Sequence, residues 1–144
     1  APALLLRKEY GFAVLNEYGQ YIRSVPSREH IFDLPVIAGE GAESAAPQAM
    51  NIFKAINKKF DHIRGLVFVG QRRWNIIMKT GQVVMLPEND PAKAVQKILI
   101  LDQAEQILSR DIAVFDFRLS SRITLRLPLE EHFEIDPKVV GVKN

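Results

Sequence analysis

The 144-residue sequence contains no cysteine. That excludes disulfides, thiolate nucleophiles and cysteine-ligated zinc. It also fits an oxidising compartment, where stray thiols are a liability. No apolar run approaches the roughly 20 residues that a membrane-spanning helix needs, and no signal peptide is visible. Charge of one sign is scarce. Lys and Arg number 19 against 17 Asp and Glu, and the net charge of +2 is too small to argue for nucleic acid. There is no glycine-rich phosphate loop and no nucleophile elbow. The histidines are His30, His62 and His132, none at metal-ligand spacing from another histidine or a carboxylate pair. Neither a metal nor a cofactor is expected. Asp61-His62 reads as two polar residues at a helix end.

What remains is an ordinary globular composition. Hydrophobic residues make up 47% and charged residues 25%, enough for one domain with a real core. The chain opens on a β-like run just after Ala1-Pro2, which suggests a piece of something longer. Residues 3–6 and 12–15 are short apolar runs, and the turn signal Asn16-Glu17-Tyr18-Gly19 leads into a strand over residues 21–25. Leu34-Pro35-Val36-Ile37 is apolar but holds a proline, so it reads as an edge strand or an anchored loop.

Two helices follow from spacing. In the first, Ser44 reads as the N-cap, Pro47 falls in the first turn, and Ala49, Ile52, Phe53, Ile56 and Phe60 make an apolar stripe. In the second, Asp90 reads as the N-cap and Pro91 as the first helical residue, with Ala94, Val95, Ile98, Leu101, Ala104 and Leu108 facing the core. Between the helices lie strands over residues 66–69, 74–78 and 82–86, with Trp74, Ile76 and Met78 on one face. The layout is α+β: a mainly antiparallel, curved sheet with two helices packed on it.

Residues 111–128 carry the clearest pattern. Ile123, Leu125 and Leu127 alternate with Arg122, Thr124 and Arg126, the period-two signature of a half-buried strand. Ala113, Phe115 and Phe117 likewise oppose Ile112, Val114, Asp116 and Arg118. The two runs read as a hairpin turning near residues 119–121, and Pro128 ends the second strand because it cannot donate to a ladder. A last hairpin strand is a sheet edge, and an edge is a template for another chain. Residues 129–144 carry Glu130, Glu131, Glu134 and Asp136 without a clear period and read as a loosely ordered tail. Glu130 and Glu131 lie close enough in sequence to Arg126 for the tail to fold over the last strand and compete with a partner.

Two chemical readings compete with that. Asp116, between two phenylalanines, could be a catalytic acid, but an ion pair with Arg118 explains it more simply. Arg72-Arg73-Trp74 could stack on a base, but it reads as a hairpin with a core tryptophan and solvated arginines.

Three stretches together resemble the FtsQ/DivIB bacterial cell-division family, particularly its alphaproteobacterial members. Leu34-Pro35-Val36-Ile37-Ala38-Gly39-Glu40-Gly41-Ala42 resembles the family's LP-apolar-apolar-x-G-x-G-A segment. Arg73-Trp74 through Gly81, continuing to Val84-Met85-Leu86-Pro87, resembles its middle hairpin. Arg110-Asp111-Ile112-Ala113 through Arg118, followed by Arg122 to Leu127, resembles its C-terminal strands. The resemblance implies a non-enzymatic periplasmic β domain over residues 1–128, with residues 1–7 a remnant of the strand joining it to a missing POTRA domain. It implies an inner-membrane, single-pass parent protein concentrated at the division septum. It further implies a divisome scaffold that binds FtsB, with FtsL, and helps control septal peptidoglycan synthesis. The partner adds a β-strand at the last strand. The matching positions are Arg72, Arg118, Leu119, Ser120, Ser121, Arg122, Ile123, Thr124, Leu125, Arg126 and Leu127. Leu119 stands where well-known members carry a tyrosine, and Leu127 where they carry an aromatic.

Overall fold

A computed structural model describes residues 1–27, 33–56, 63–119, 122–128 and 132–135. The first hairpin is β1 (Leu4–Arg7) and β2 (Phe12–Leu15), extended by β3 (Tyr21–Val25) and followed by β4 (Val36–Ala38). Helix α1 (Ala46–Ile56) leads to β5 (Ile63–Val69), β6 (Arg73–Met78) and β7 (Val83–Met85). Helix α2 (Pro91–Glu105) then leads to β8 (Val114–Leu119), β9 (Arg122–Arg126) and β10 (His132–Ile135). The described strands join one ten-stranded sheet, in the order β10-β9-β8-β7-β6-β5-β4-β1-β2-β3.

The α+β class holds, but the sheet is mixed. Most neighbours pair antiparallel, whereas β1 with β4, β4 with β5 and β7 with β8 pair parallel. Each parallel contact joins strands separated by a long connection, and short hairpins account for the rest. The segment holding Pro35 is also not an edge. Val36 and Ile37 sit in the sheet interior, Ile37 paired with both Leu6 and Leu66. Pro35 lacks an N–H, but its carbonyl accepts from the Leu5 amide at 2.9 Å, so it serves the ladder as an acceptor.

One face of the sheet carries both helices. Ile52 and Ile56 of α1 and Val95, Ile98 and Leu101 of α2 pack in one cluster with Leu4, Ile37, Trp74, Ile76, Phe115 and Leu125. Trp74 is fully buried, donates its indole N–H to Gln48 at 3.0 Å, and lies against Phe68 with ring centroids 4.6 Å apart. Among the described residues, the opposite face has a small apolar cluster under the N-terminal strands, from Leu5, Val14, Val25 and Val36.

The helix ends differ in detail from the sequence reading. Ser44 lies in a short 3-10 turn ahead of α1, and its hydroxyl donates back to the Gly41 carbonyl at 2.7 Å. Pro91 is the first residue of α2, as its fixed φ favours, while Asp90 before it makes no side-chain cap bond. Gln106 takes φ 52° and ends α2, so Ala104 is exposed and Ile107, beyond the helix, supplies the buried side chain. Phe60, placed on the first stripe, lies outside the described residues.

Residues 132–135, within the expected tail, form β10 on β9.

Candidate functional site

The end of the sheet formed by β6 to β9 has two chemically opposite faces. Towards the helices point Trp74, Ile76, Val84, Phe115, Phe117, Ile123 and Leu125, all buried. The other face follows from the same period of two. Its register row runs Asn75–Met85–Asp116–Thr124, each residue opposite the next on the neighbouring strand. Arg73, Arg118, Arg122 and Arg126 occupy the alternate positions that share this face.

Asp116 is fixed by Arg118. The guanidinium Nη2 donates to one carboxylate oxygen at 2.6 Å and Nε to the other at 2.9 Å, and the Arg118 amide adds a third bond at 3.0 Å. This is a two-pronged arginine–carboxylate pair. Partial burial alone would raise the Asp116 pKa, but the bonds and charge of Arg118 outweigh it and hold the carboxyl below its ordinary range. The same bonds raise the pKa of Arg118. The ion pair expected from the sequence is therefore present. A general acid needs the opposite shift, so a catalytic Asp116 finds no support here.

Arg73 lies within electrostatic range of Arg118, Asp116 and Arg72. Desolvation lowers its pKa first, and the positive charges of Arg118 and Arg72 add to that against the pull of Asp116. Its Nη1 donates to the Asn75 side chain at 2.6 Å. Two guanidinium groups, those of Arg118 and Arg73, thus act on one carboxylate, which Arg118 already engages. Such a surface can receive further carboxylates. Beside it, Asp116, Arg118, Leu119, Arg122 and Thr124 line an open cleft of about 230 Å³.

The structure brings most of the sequence-predicted positions to this end of the sheet. Arg72 is exposed in the turn between β5 and β6. Leu119 is 63% exposed at the tip of β8, an apolar contact beside the arginines. Ile123 and Leu125 are core residues and offer a partner only their main chain, and Leu127 packs partly buried on the core. Ser120 and Ser121 lie outside the described residues. The base-stacking reading of Arg72, Arg73 and Trp74 fails on geometry, because a fully buried Trp74 presents no ring face to a base. Arg73 precedes the core-facing Trp74, so its place on the opposite face was visible in the alternation.

One expected feature changes. Arg122–Arg126 is not the last strand among the described residues. β10 pairs with it antiparallel, Arg126 opposite His132 and Ile123 opposite Ile135. Both sides of β9 are therefore occupied, by β8 and by β10. The signal was the alternation of His132-Phe133-Glu134-Ile135, masked by the acidic residues around it.

Comparison with known sequences adds a family. A family profile described as cell division protein FtsQ/DivIB, C-terminal, matches residues 4–118. The chain is 40% identical over 126 residues to a cell division protein FtsQ of Cereibacter sphaeroides, covering 88% of this chain and 41% of that protein. It is 40% identical over 129 residues to the FtsQ of Paracoccus denitrificans, covering 90% and 38% respectively. The FtsQ of Roseobacter litoralis is 35% identical over 126 residues, covering 88% and 43%. The chain therefore spans about two fifths of the length of the curated relatives it matches.

Proposed function

Because the chain belongs to the FtsQ/DivIB family of cell-division proteins, we propose that it is the β domain through which its parent protein scaffolds the divisome. Residues 1–128 are the domain proper, with residues 1–7 joining it to a preceding POTRA domain. It is non-catalytic and periplasmic, carried at the division septum by a single inner-membrane helix outside this chain. No described helix is long and apolar enough to cross a membrane.

Its partners are FtsB and FtsL. FtsB adds a β-strand at the C-terminal end of the sheet, and the complex helps control septal peptidoglycan synthesis. The observation that carries this reading is β9 itself. Its inward residues Ile123 and Leu125 are 4% and 0% exposed, while Arg122 and Arg126 are exposed. A strand with one buried face imposes a single register on whatever pairs with it. Main-chain bonds then supply affinity, and the arginine face selects an acidic segment. Exposed Leu119 supplies an apolar contact in place of the tyrosine of other members.

Calorimetric titration with the periplasmic segments of the cognate FtsB–FtsL pair, at physiological salt, tests the reading. One-to-one saturable binding is expected, and the Arg118→Glu, Arg122→Glu double variant should weaken it about tenfold or more by placing like charges opposite the partner's acids. Undiminished binding by that variant would move the contact away from this face. No binding by any form of the chain would remove the scaffold reading.

A further inference from the structure

The chain's own end already occupies the edge to which a partner strand would add. β10 pairs antiparallel with β9 over four residues. It holds the β9 side that a partner would need.

Two observations bear on what this strand does. First, β10 is four residues long and, among the described residues, has a neighbour only on its β9 side. A terminal strand with few ladder bonds opens locally at low free-energy cost, far below global unfolding. Second, its register suits the arginine face. Phe133 and Ile135 stand opposite the core-facing Leu125 and Ile123, and Glu134 stands opposite Thr124. Residues directly opposite share a face, and diagonal neighbours two positions along lie about 7–8 Å away. Glu134 thus holds the register position between Arg122 and Arg126. This is the position an acidic partner strand would fill.

We propose that β10 is a built-in, displaceable occupant of the partner edge. An acidic extended segment from the partner replaces it on β9, and the released tail is the alternative state of a two-state switch. This inference rests on the reading of β9 as the strand-addition edge. A closed form lowers the apparent affinity in proportion to the fraction of molecules that are open.

The absence of cysteine permits a direct test. The register partners Thr124 and Glu134 are replaced as Thr124→Cys, Glu134→Cys, which brings two thiols to cross-strand neighbours. The periplasmic FtsB–FtsL pair is then titrated against four forms: the intact chain, the oxidised double variant, the same variant reduced, and the chain ending at Pro128. Oxidation of the double variant should lower its binding at least tenfold relative to the same protein reduced, and truncation of the intact chain should raise binding about tenfold. Because the lock is reversible in one protein, a folding defect cannot mimic that pattern. Backbone hydrogen exchange of the intact chain gives a second readout. When the partner binds, the β10 amides should lose protection while the β9 amides keep theirs. Equal binding by the oxidised and reduced double variant, or retained β10 protection in the complex, overturns the proposal and leaves the scaffold reading standing. Silence from every form, the truncated chain included, overturns both.

Discussion

The two ends of the sheet solve the edge problem in opposite ways. At the β3 end, Tyr21, Ile22, Arg23 and Ser24 are all exposed, and only Val25 is buried. Apart from Val25, which joins the small N-terminal cluster, no residue of that strand is committed to a core. At the other end, β9 alternates buried and accessible residues along its length, and β10 covers its outer side. Exposure alone would nominate β3 as the docking edge, with Tyr18 and Tyr21 at 68% and 64%. Register argues against it. A one-residue slip of a strand added to β3 would change little, because neither face is distinguished. The same slip on β9 would move every side chain of the added strand to the wrong face. Specific strand recognition needs the second kind of edge, and that is also the kind a protein must keep covered.

The sharpest separation of the two ends is in stability. Leu125→Ala removes a fully buried side chain from the sheet–helix layer and should cost about 2–5 kcal/mol, read as a lower urea midpoint with unchanged slope. A cost near zero would mean that the β9 end is not part of the core, and the contrast would collapse.

The β3 end depends instead on its turn. The Asn16 side chain accepts from the amides of Tyr18 and Gln20, both at 2.9 Å, and bonds the Gln20 side chain at 2.7 Å. Gly19 at φ 86° lets the turn approach the 3-10 segment before α1, where a Cβ would strike the Glu43 carbonyl and press on Ala46. Gly19→Ala should therefore cost about 1–3 kcal/mol, the scale of a strained backbone at a close contact. Amide exchange should speed up in β2 and β3 more than in β8 and β9. Uniform acceleration across the sheet would show that the two ends are not separately anchored.

Much of this was legible in the sequence where the period was long enough to count. Trp74, Ile76 and Met78, then Phe115 and Phe117, then Ile123 and Leu125, all lie on the face that their alternation assigned. Pro91 marked the start of α2, and the Asp116–Arg118 pair followed from adjacency on one strand face. The failures share a cause. β4 is three residues long, too short to show a period, and its neighbours β1 and β5 are parallel partners remote in sequence. Pro35 argues against an interior strand through its missing donor, but its carbonyl still serves the ladder as an acceptor. The end of α2 was invisible because Gln106, not glycine, adopts the left-handed cap. β10 was hidden because its pairing makes sense only once β9 is in place to receive it.

A smaller effect distinguishes the ends by pH. The folded-state pKa of Asp116 is depressed, so its pair with Arg118 contributes stability above the unfolded carboxyl value of about 3.9. That contribution is lost as pH falls through the lower folded value, since the protonated acid no longer favours the folded state. Arg118 stays charged throughout. Stability from this pair should be flat between about pH 5 and 8 and decline only below about pH 4. The Asp116→Asn variant should lack that part of the acid decline, measured as the difference between the two urea midpoints at each pH. An equal acid decline in both proteins would assign it to other carboxylates.

The smallest expected effect is at the exposed strand. Tyr21 reaches only the Ser24 hydroxyl, at 2.8 Å, and both residues are exposed. Tyr21→Ala should therefore change stability by no more than about 0.5 kcal/mol, as surface substitutions away from special features do. It should also leave the proposed FtsB–FtsL binding unaltered, because β3 lies nine strand positions from β10 across the sheet order and shares no residue with the arginine face. A large loss of binding with unchanged stability would reverse the comparison. It would make the uncommitted edge the functional one and leave the alternation of β9 as a feature of folding alone.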